Sequence, residues 1–345
     1  MLYPLKFRPR LCEKMWGGRK MQTLLGKDLP PGKPVGESWE LYDFPPGVVE
    51  NSTGWLSSEV ANGPLAGRTL HELMGSHRAD LLGDVKPVGP HGQFPVLIKF
   101  LDAKDDLSVQ VHPDEAYAAA HPDAHLKTEA WYVVQTDPGA RLFKGLCKGM
   151  TRANFAQAVR DGTIEQCIET MTPQAGDCVF MPSGTVHALG AGILAWEVQT
   201  PSDTTFRVFD FNRVDATTGK PRKLHVDQAL ECIDFSGRPE PKQPRSTVSG
   251  AVSTVSRMVT SSYFKLEKLC MKAGVNQPLP YDQPVVWTVL NGEAEVRVDG
   301  LPEPVTVTRG ETVLLPARMK NPAIRTRSTC EWLEVTFPVN PGAQA

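Results

Sequence analysis

Short stretches of strict apolar–polar alternation dominate this chain, and each predicts a β-strand. From Leu107 to His112, Leu107, Val109 and Val111 point one way while Ser108, Gln110 and His112 point the other. In Gly36–Leu41, Glu37 and Trp39 share one face, and Ser38 and Glu40 share the opposite one. Lys127, Glu129 and Trp131 line up in the same way. Two runs are apolar on both faces except for a single charge: Phe94–Leu101 contains Lys99, and Ile193–Thr200 contains Glu197. Lysine seldom lies in such a run without a partner, so Lys99 is expected either at a pocket, the preferred reading, or snorkelling out at a strand end. In Ser202–Asp210, Phe206 and Val208 oppose Arg207, which is expected to face a pocket together with Thr205 and Phe209.

Helical periodicity is confined to insertions between these strands. Leu70, Leu73, Met74 and Leu81 predict a helix over 69–82, capped by Thr69. Phe155, Ala158 and Val159, then Ile164, Cys167, Ile168 and Met171, predict two helices over 151–171, with Thr163 as a second cap. A short helix is expected near Val226–Ile233, and a Pro/Ser-rich linker over 236–256. Beyond it the alternation resumes in Phe264–Leu269, Trp287–Leu290 and Glu293–Val298. Gly310–Pro316 repeats the G-x5-P spacing of Gly176–Pro182, but no His follows in register. The expectation is a mainly β protein in two units. Residues 1–235 form the chemical one, with helical insertions at about 64–85 and 151–172, and 257–345 form a second barrel without a metal.

Composition narrows the classes. The 345 residues include 30 Pro and 29 Gly, which suits many short strands and turns. A net charge of −2 gives no electrostatic case for nucleic acid or an anionic membrane surface. No apolar run approaches a membrane span, and no leader peptide is visible. The seven cysteines are widely spaced without a C-x-x-C pair, so neither a disulfide framework nor a thiolate zinc site is expected, and a cytoplasmic location fits.

The chemistry concentrates at Gly176–His187, which reads G-x5-P-x-G-x2-H. Pro182 ends one strand, Gly184 turns, and His187 opens the next. Gln110, His112 and Glu129 lie on two further strands whose faces can converge on it. Two imidazoles, a carboxylate and an amide oxygen suit Zn²⁺, with Mn²⁺, Fe²⁺ or Co²⁺ as alternatives. Lys99, Lys127 and Arg207 supply cations nearby, and Glu197 and Asp203 are acid/base candidates. A cationic metal pocket in an acidic chain implies a small anionic substrate such as a phosphate ester.

These residues resemble a known family. G-x5-P-x-G-x2-H is the second signature of the cupin barrel. Trp16-Gly17-Gly18, Gly36-Glu37-Ser38-Trp39-Glu40, Gln110-Val111-His112-Pro113, Lys127-Thr128-Glu129, Val186-His187-Ala188-Leu189-Gly190 and Ser202–Arg207 follow in the order seen in type I phosphomannose isomerases. The likeness runs over about residues 1–235, and the length matches the short bacterial form. It departs from the general cupin pattern, because Gln110 stands for the first His and Glu129 lies 17 residues beyond His112. Both departures agree with the isomerase branch.

The resemblance implies two jelly-roll barrels and one Zn²⁺ per chain, held by Gln110, His112, Glu129 and His187. It implies that Lys99, Lys127, Glu197, Asp203 and Arg207 line the substrate site, with Ser108 and Trp16 beside them. The implied reaction interconverts mannose 6-phosphate and fructose 6-phosphate by proton transfer between C1 and C2 through a cis-enediol. The implied partner is a sugar phosphate only, with the chain a monomer or weak homodimer. Glu197, Asp203, Lys127 and a metal-bound water remain open as the base, and Arg207 is open between phosphate and enediolate. The rival is a sugar-binding or other metal-dependent cupin protein.

Overall fold

Alternating strands with two usable faces must be covered on both, and here they stack into four layers. The computed structural model describes residues 1–49, 52–89, 91–214, 219–238, 243 and 245–338. The first half contributes a six-stranded antiparallel sheet in the order Cys178–Met181, Glu129–Thr136, Ile193–Gln199, Leu97–Ala103, Arg10–Gly18 and Val35–Leu41. Facing it is a five-stranded sheet in the order Ile168–Met171, Leu142–Leu146, His187–Leu189, Val109–Val111 and Phe206–Phe209. The second half repeats the plan with a seven-stranded and a four-stranded sheet. Mainly β holds. Each half is a pair of facing open sheets rather than a closed barrel, because no strand pairing joins the two sheets of either half among the described residues.

The core sits on both sides of the large sheets. Trp16, Leu101, Leu107, Trp131, Met181 and Leu189 fill the space between the first pair. Ile98, Phe100, Leu194 and Trp196 point the opposite way and meet Val259, Leu266, Val286, Leu314 and Leu333 of the seven-stranded sheet. This explains why the runs around Lys99 and Glu197 are apolar on both faces: each face meets a packed layer. Trp196 is fully buried there, and its Nε1 donates to Thr288 Oγ1 at 3.0 Å, tying the halves together. Outside the five-stranded sheet, Phe143, Val109 and Val208 pack on Phe155 and Ala229 of the helices Arg152–Asp161 and Val226–Cys232.

The repeat goes deeper than G-x5-P. Lys265–Met271, Cys330–Thr336, Val285–Asn291 and Thr312–Leu315 lie side by side in the order of Leu97–Ala103, Ile193–Gln199, Glu129–Thr136 and Cys178–Met181. Trp131 faces Glu197 across one ladder, and Trp287 faces Glu334 across the matching one. Where Glu129 opposes Met181, Val285 opposes Leu315.

Several expectations need correction. The linker over 236–256 contains the strand Ser246–Ser249 and the start of Ser253–Thr260, which extend the seven-stranded sheet; residues 239–242 and 244 lie outside the described set. The Ser and Thr residues there alternate as an edge, which composition alone reads as a loop. The unit 1–235 is not self-contained, because Leu5–Lys6 pairs with Leu314 and Val313 of the second half. The second helix of 151–171 is a 3-10 turn, Ile164–Cys167, followed by the strand Ile168–Met171, which docks on Leu142–Leu146. Thr163 makes no side-chain cap, whereas Thr151 accepts from Asn154 N at 3.2 Å. Over 69–82 the helix breaks at His77 into Leu70–Ser76 and Arg78–Leu82, with Thr69 and Glu72 forming a capping box. No helix among the described residues is long and apolar enough to cross a membrane.

Trp196→Ala should cost about 3–5 kcal/mol, the usual loss for a buried tryptophan. Urea unfolding followed by circular dichroism should show one transition shifted to lower denaturant; two separated transitions would mean the halves do not fold as one unit.

Candidate active site and metal centre

Two facing sheets bring the chemistry together. On the five-stranded sheet, Lys144, His187, Gln110 and Arg207 occupy directly opposed positions on four neighbouring strands. His112 lies two residues beyond Gln110 on the same face. On the six-stranded sheet, Lys99, Glu197 and Trp131 form a matching row, and Glu129 lies two residues before Trp131. The turn that delivers His187 depends on Gly184, whose φ of +84° is left-handed and whose missing Cβ would stand 3.1 Å from the Cys232 carbonyl.

Glu129 is fully buried at the centre. Its Oε1 lies 3.1 Å from His187 Nε2, and its Oε2 lies 3.3 Å from His112 Nε2 and 3.1 Å from Lys127 Nζ. His112 Nδ1 donates to the Thr204 carbonyl at 3.1 Å, and His187 Nδ1 donates to the Thr185 carbonyl at 2.8 Å. A carbonyl only accepts, so both Nδ1 atoms carry a proton, and both Nε2 atoms are left facing the carboxylate. The Gln110 amide nitrogen lies 3.3 Å from His187 Nε2, and turning the amide over brings its oxygen there instead. Acceptors thus crowd around the carboxylate with Lys127 as its nearest donor, and among the described residues no well-aligned hydrogen bond reaches His112 Nε2 or either Glu129 oxygen. Two imidazoles and a carboxylate with their ligand atoms within 4.8 Å of one another fit a cation between them. The carbonyl bonds behind the imidazoles are the usual outer support of metal-ligating histidines.

The surrounding charges are balanced in pairs. Lys99 Nζ lies 2.9 Å from Glu197 Oε2, and Trp131 Nε1 donates to Glu197 Oε1 at 3.2 Å. Burial and the Glu129 charge push the Glu197 carboxyl up to about 7, against Lys99 and Lys127. Burial works against the charge on Lys99, but Glu197, Glu37 and Glu129 outweigh it and hold the ammonium above its ordinary range. Burial and Lys127 push His112 down to about 3 against Glu129, so it stays neutral, as a ligand requires. Burial raises the Asp203 carboxyl, opposed by Lys99, Lys127 and Lys14.

All four expected ligands converge, as do Lys99, Lys127 and Glu197. Ser108 is buried on the Gln110 side of its strand. Trp16 packs in the apolar cluster with Leu101 and Trp131, as part of the wall. Arg207 stands beside Gln110, with its Nη1 donating to the Lys223 carbonyl at 2.9 Å. Its expected neighbour Phe209 is elsewhere: a register shift between Arg207 and Phe209 turns that ring into the outer apolar layer. Three participants went unassigned in the sequence. Trp131 orients Glu197, and Lys14 and Glu37 extend the charged wall. Lys14 Nζ lies 3.1 Å from Glu37 Oε1, and Trp39 Nε1 donates to Glu37 Oε2 at 2.7 Å. The alternation of Gly36–Leu41 puts Glu37 and Trp39 on one face but does not show that this face meets Lys14. A separate cleft of about 630 Å³, lined by Gly17, Arg19, Lys33 and Lys104, contains none of the metal-site residues.

Comparison with known proteins decides the family. Residues 5–139 match the family model described as phosphomannose isomerase type I, catalytic domain. The mannose-6-phosphate isomerase of Streptococcus mutans is 36% identical over 324 residues, covering 93% of this chain and 95% of that protein. The chain belongs to the type I phosphomannose isomerases. A second relative of that family, mannose-6-phosphate isomerase ManA of Bacillus subtilis, is 33% identical over 91% of this chain and 93% of its own length. The crystal structure of the mannose 6-phosphate isomerase from Bacillus subtilis superposes with a TM-score of 0.84 at 29% identity, covering 97% of this chain and 99% of that one. The family model stops before His187, Glu197 and Arg207, whereas the similarity to the two relatives extends over more than nine tenths of the chain.

Glu37 offers a test of the charged wall. Burial opposes its charge, but Lys14 and Lys99 outweigh burial and hold its pKa at about 2, below the reference of 4.5. A depressed carboxylate adds stability above its unfolded pKa and loses it as pH falls through the folded value. The stability gap between the wild type and Glu37→Gln should therefore shrink as pH drops from about 4.5 toward 2. Thermal melts at pH 6, 4 and 3 measure it, and a gap that stays constant contradicts the paired wall.

Proposed function

We propose that the chain interconverts mannose 6-phosphate and fructose 6-phosphate by moving a proton between C1 and C2 of the open-chain sugar through a cis-enediol. The observation that carries this reading is the crowding of His112, His187, Gln110 and Glu129 opposite the Lys99–Glu197 pair, in a chain of this family. The rival sugar-binding reading has no use for a buried acid/base pair beside the metal ligands.

Gln110, His112, Glu129 and His187 would hold one Zn²⁺, which supplies Lewis acidity at the carbonyl end of the sugar. The remaining steps belong to side chains. Glu197 takes and returns the proton, with Trp131 and Lys99 fixing its two oxygens so that one carboxylate serves adjacent carbons. Lys127 pins Glu129 and keeps its charge on the metal side. Arg207 answers the charge that develops on the enediolate oxygen, with Lys223 holding its guanidinium in place. Val285, standing where Glu129 would stand, supports a metal in the first half alone.

A coupled assay for conversion of fructose 6-phosphate, run beside elemental analysis, tests the proposal. The wild type should be active with about one equivalent of transition metal per chain, and His187→Ala should lose both. A His187→Ala variant that keeps metal and turnover overturns the ligand set.

Arg207→Ala should lower kcat by roughly 10²–10³, the usual cost of one oxyanion donor, with little change in KM. A raised KM with normal kcat would move Arg207 to the phosphate.

A further inference from the structure

The sugar's reacting carbons and its phosphate lie at opposite ends of a six-carbon chain, so the phosphate needs a cation away from the metal ligands. Lys99 and Lys127 do not meet that need. Each is buried and matched by one buried carboxylate, Glu197 and Glu129 respectively. A third lysine continues the same wall. Lys14 pairs with Glu37 at 3.1 Å, and its side chain is 37% exposed, against 8% for Lys99 and 5% for Lys127. It therefore stands at the rim while the other two stand at the floor.

The backbone is built to bring it there. A Cβ on Gly36 would stand 2.7 Å from Lys14 Cβ and 2.7 Å from Trp16 Cζ3, so only glycine lets both side chains cross the neighbouring strand on one face. Trp16 lies in the cluster that contains Trp131, whose indole holds Glu197. Lys14 acts electrostatically on Asp203, as do Lys99 and Lys127, which ties the rim to the floor. Glu37 is itself held by Trp39, and one bond to Glu37 leaves an ammonium two further donors.

We propose that Lys14 is a substrate-contacting residue that binds the phosphate group of the sugar phosphate at the mouth of the site. This rests on the isomerase reading. Glu37 and Trp39 set the position of its ammonium, and Trp16 forms the wall beside it.

Steady-state kinetics of Lys14→Gln on mannose 6-phosphate, with metal content checked, tests the assignment. KM should rise about tenfold or more with kcat within about threefold, the pattern of lost uniform binding. Inhibition by inorganic phosphate should weaken by a similar factor, and Lys14→Arg should recover most of both. The double variant Lys14→Gln/Glu37→Gln leaves no unpaired carboxylate and must show the same losses. Unchanged KM and phosphate inhibition in Lys14→Gln, or recovery of both in the double variant, overturns the proposal, because Lys14 would then only neutralise Glu37. If the wild type fails to turn over mannose 6-phosphate, the isomerase reading fails by itself. Calorimetric titration of inorganic phosphate into wild type and Lys14→Gln then still decides the role of Lys14: binding lost in the variant upholds it, and equal or undetectable binding in both overturns it.

Discussion

Everything in the first half is arranged around one buried carboxylate. Glu129 has no exposure, and the two imidazoles nearest it turn Nε2 toward it because Nδ1 is taken by a backbone carbonyl. An isolated carboxylate so placed is expensive, and a neutral acceptor beside it adds no relief. Lys127 supplies one compensating charge, and a cation held by His112, His187 and Glu129 would supply the other. The rest follows from holding that arrangement still. Thr185 and Thr204 fix the rings through their carbonyls, and the strands Cys178–Met181 and Ile193–Gln199 flank Glu129 on both sides.

The sheets resolve the conflict between such a polar centre and a stable core. Alternation sends Lys99, Glu197 and Trp131 to one face of the six-stranded sheet and Phe100, Trp196 and Tyr132 to the other. One face carries the buried charges while the other packs on the second half. The repeat makes the division plain: the second half keeps Trp287 against Glu334 but has Val285 for Glu129 and Glu267 for Lys99. Glu334 there accepts from Trp287, Trp332 and Tyr281 at 2.8, 3.2 and 2.7 Å, so three donors inside its own core satisfy it.

Much of this was legible in the sequence, for reasons that differ by residue. Lys99 and Glu197 stood out because a charge in a two-faced apolar run demands a partner, and they are partners to each other. His112, Glu129 and His187 were legible through alternation and the rigid Pro182–Gly184 turn. Phe209 was misplaced because a bulge shifts the period by one residue, and nothing in Phe206–Phe209 announces it. Ser246–Ser249 read as linker because an edge strand of small polar residues needs no apolar face. Ile168–Met171 read as helix because its apolar spacing fits either period, and only its neighbour Leu142–Leu146 settles the choice. The Lys14–Glu37 wall was invisible because pairing across strands is a tertiary fact.

The pairing of Leu5–Lys6 with Thr312–Leu315 has a consequence for biosynthesis. A ribosome delivers this strand early and its partner about three hundred residues later, as the separation of the Lys6 contact with Thr306 shows. Until then Leu5 lacks the strand it pairs with, although Tyr3 already reaches Asn62 and Leu65 within the first half. Metal-site strands can pair while translation continues, but the layer behind them cannot close. Part of the layer behind the six-stranded sheet thus stays uncovered until Thr312–Leu315 has been made. Emergence of Thr312–Leu315, rather than assembly of the first-half sheets, becomes the event that closes the core.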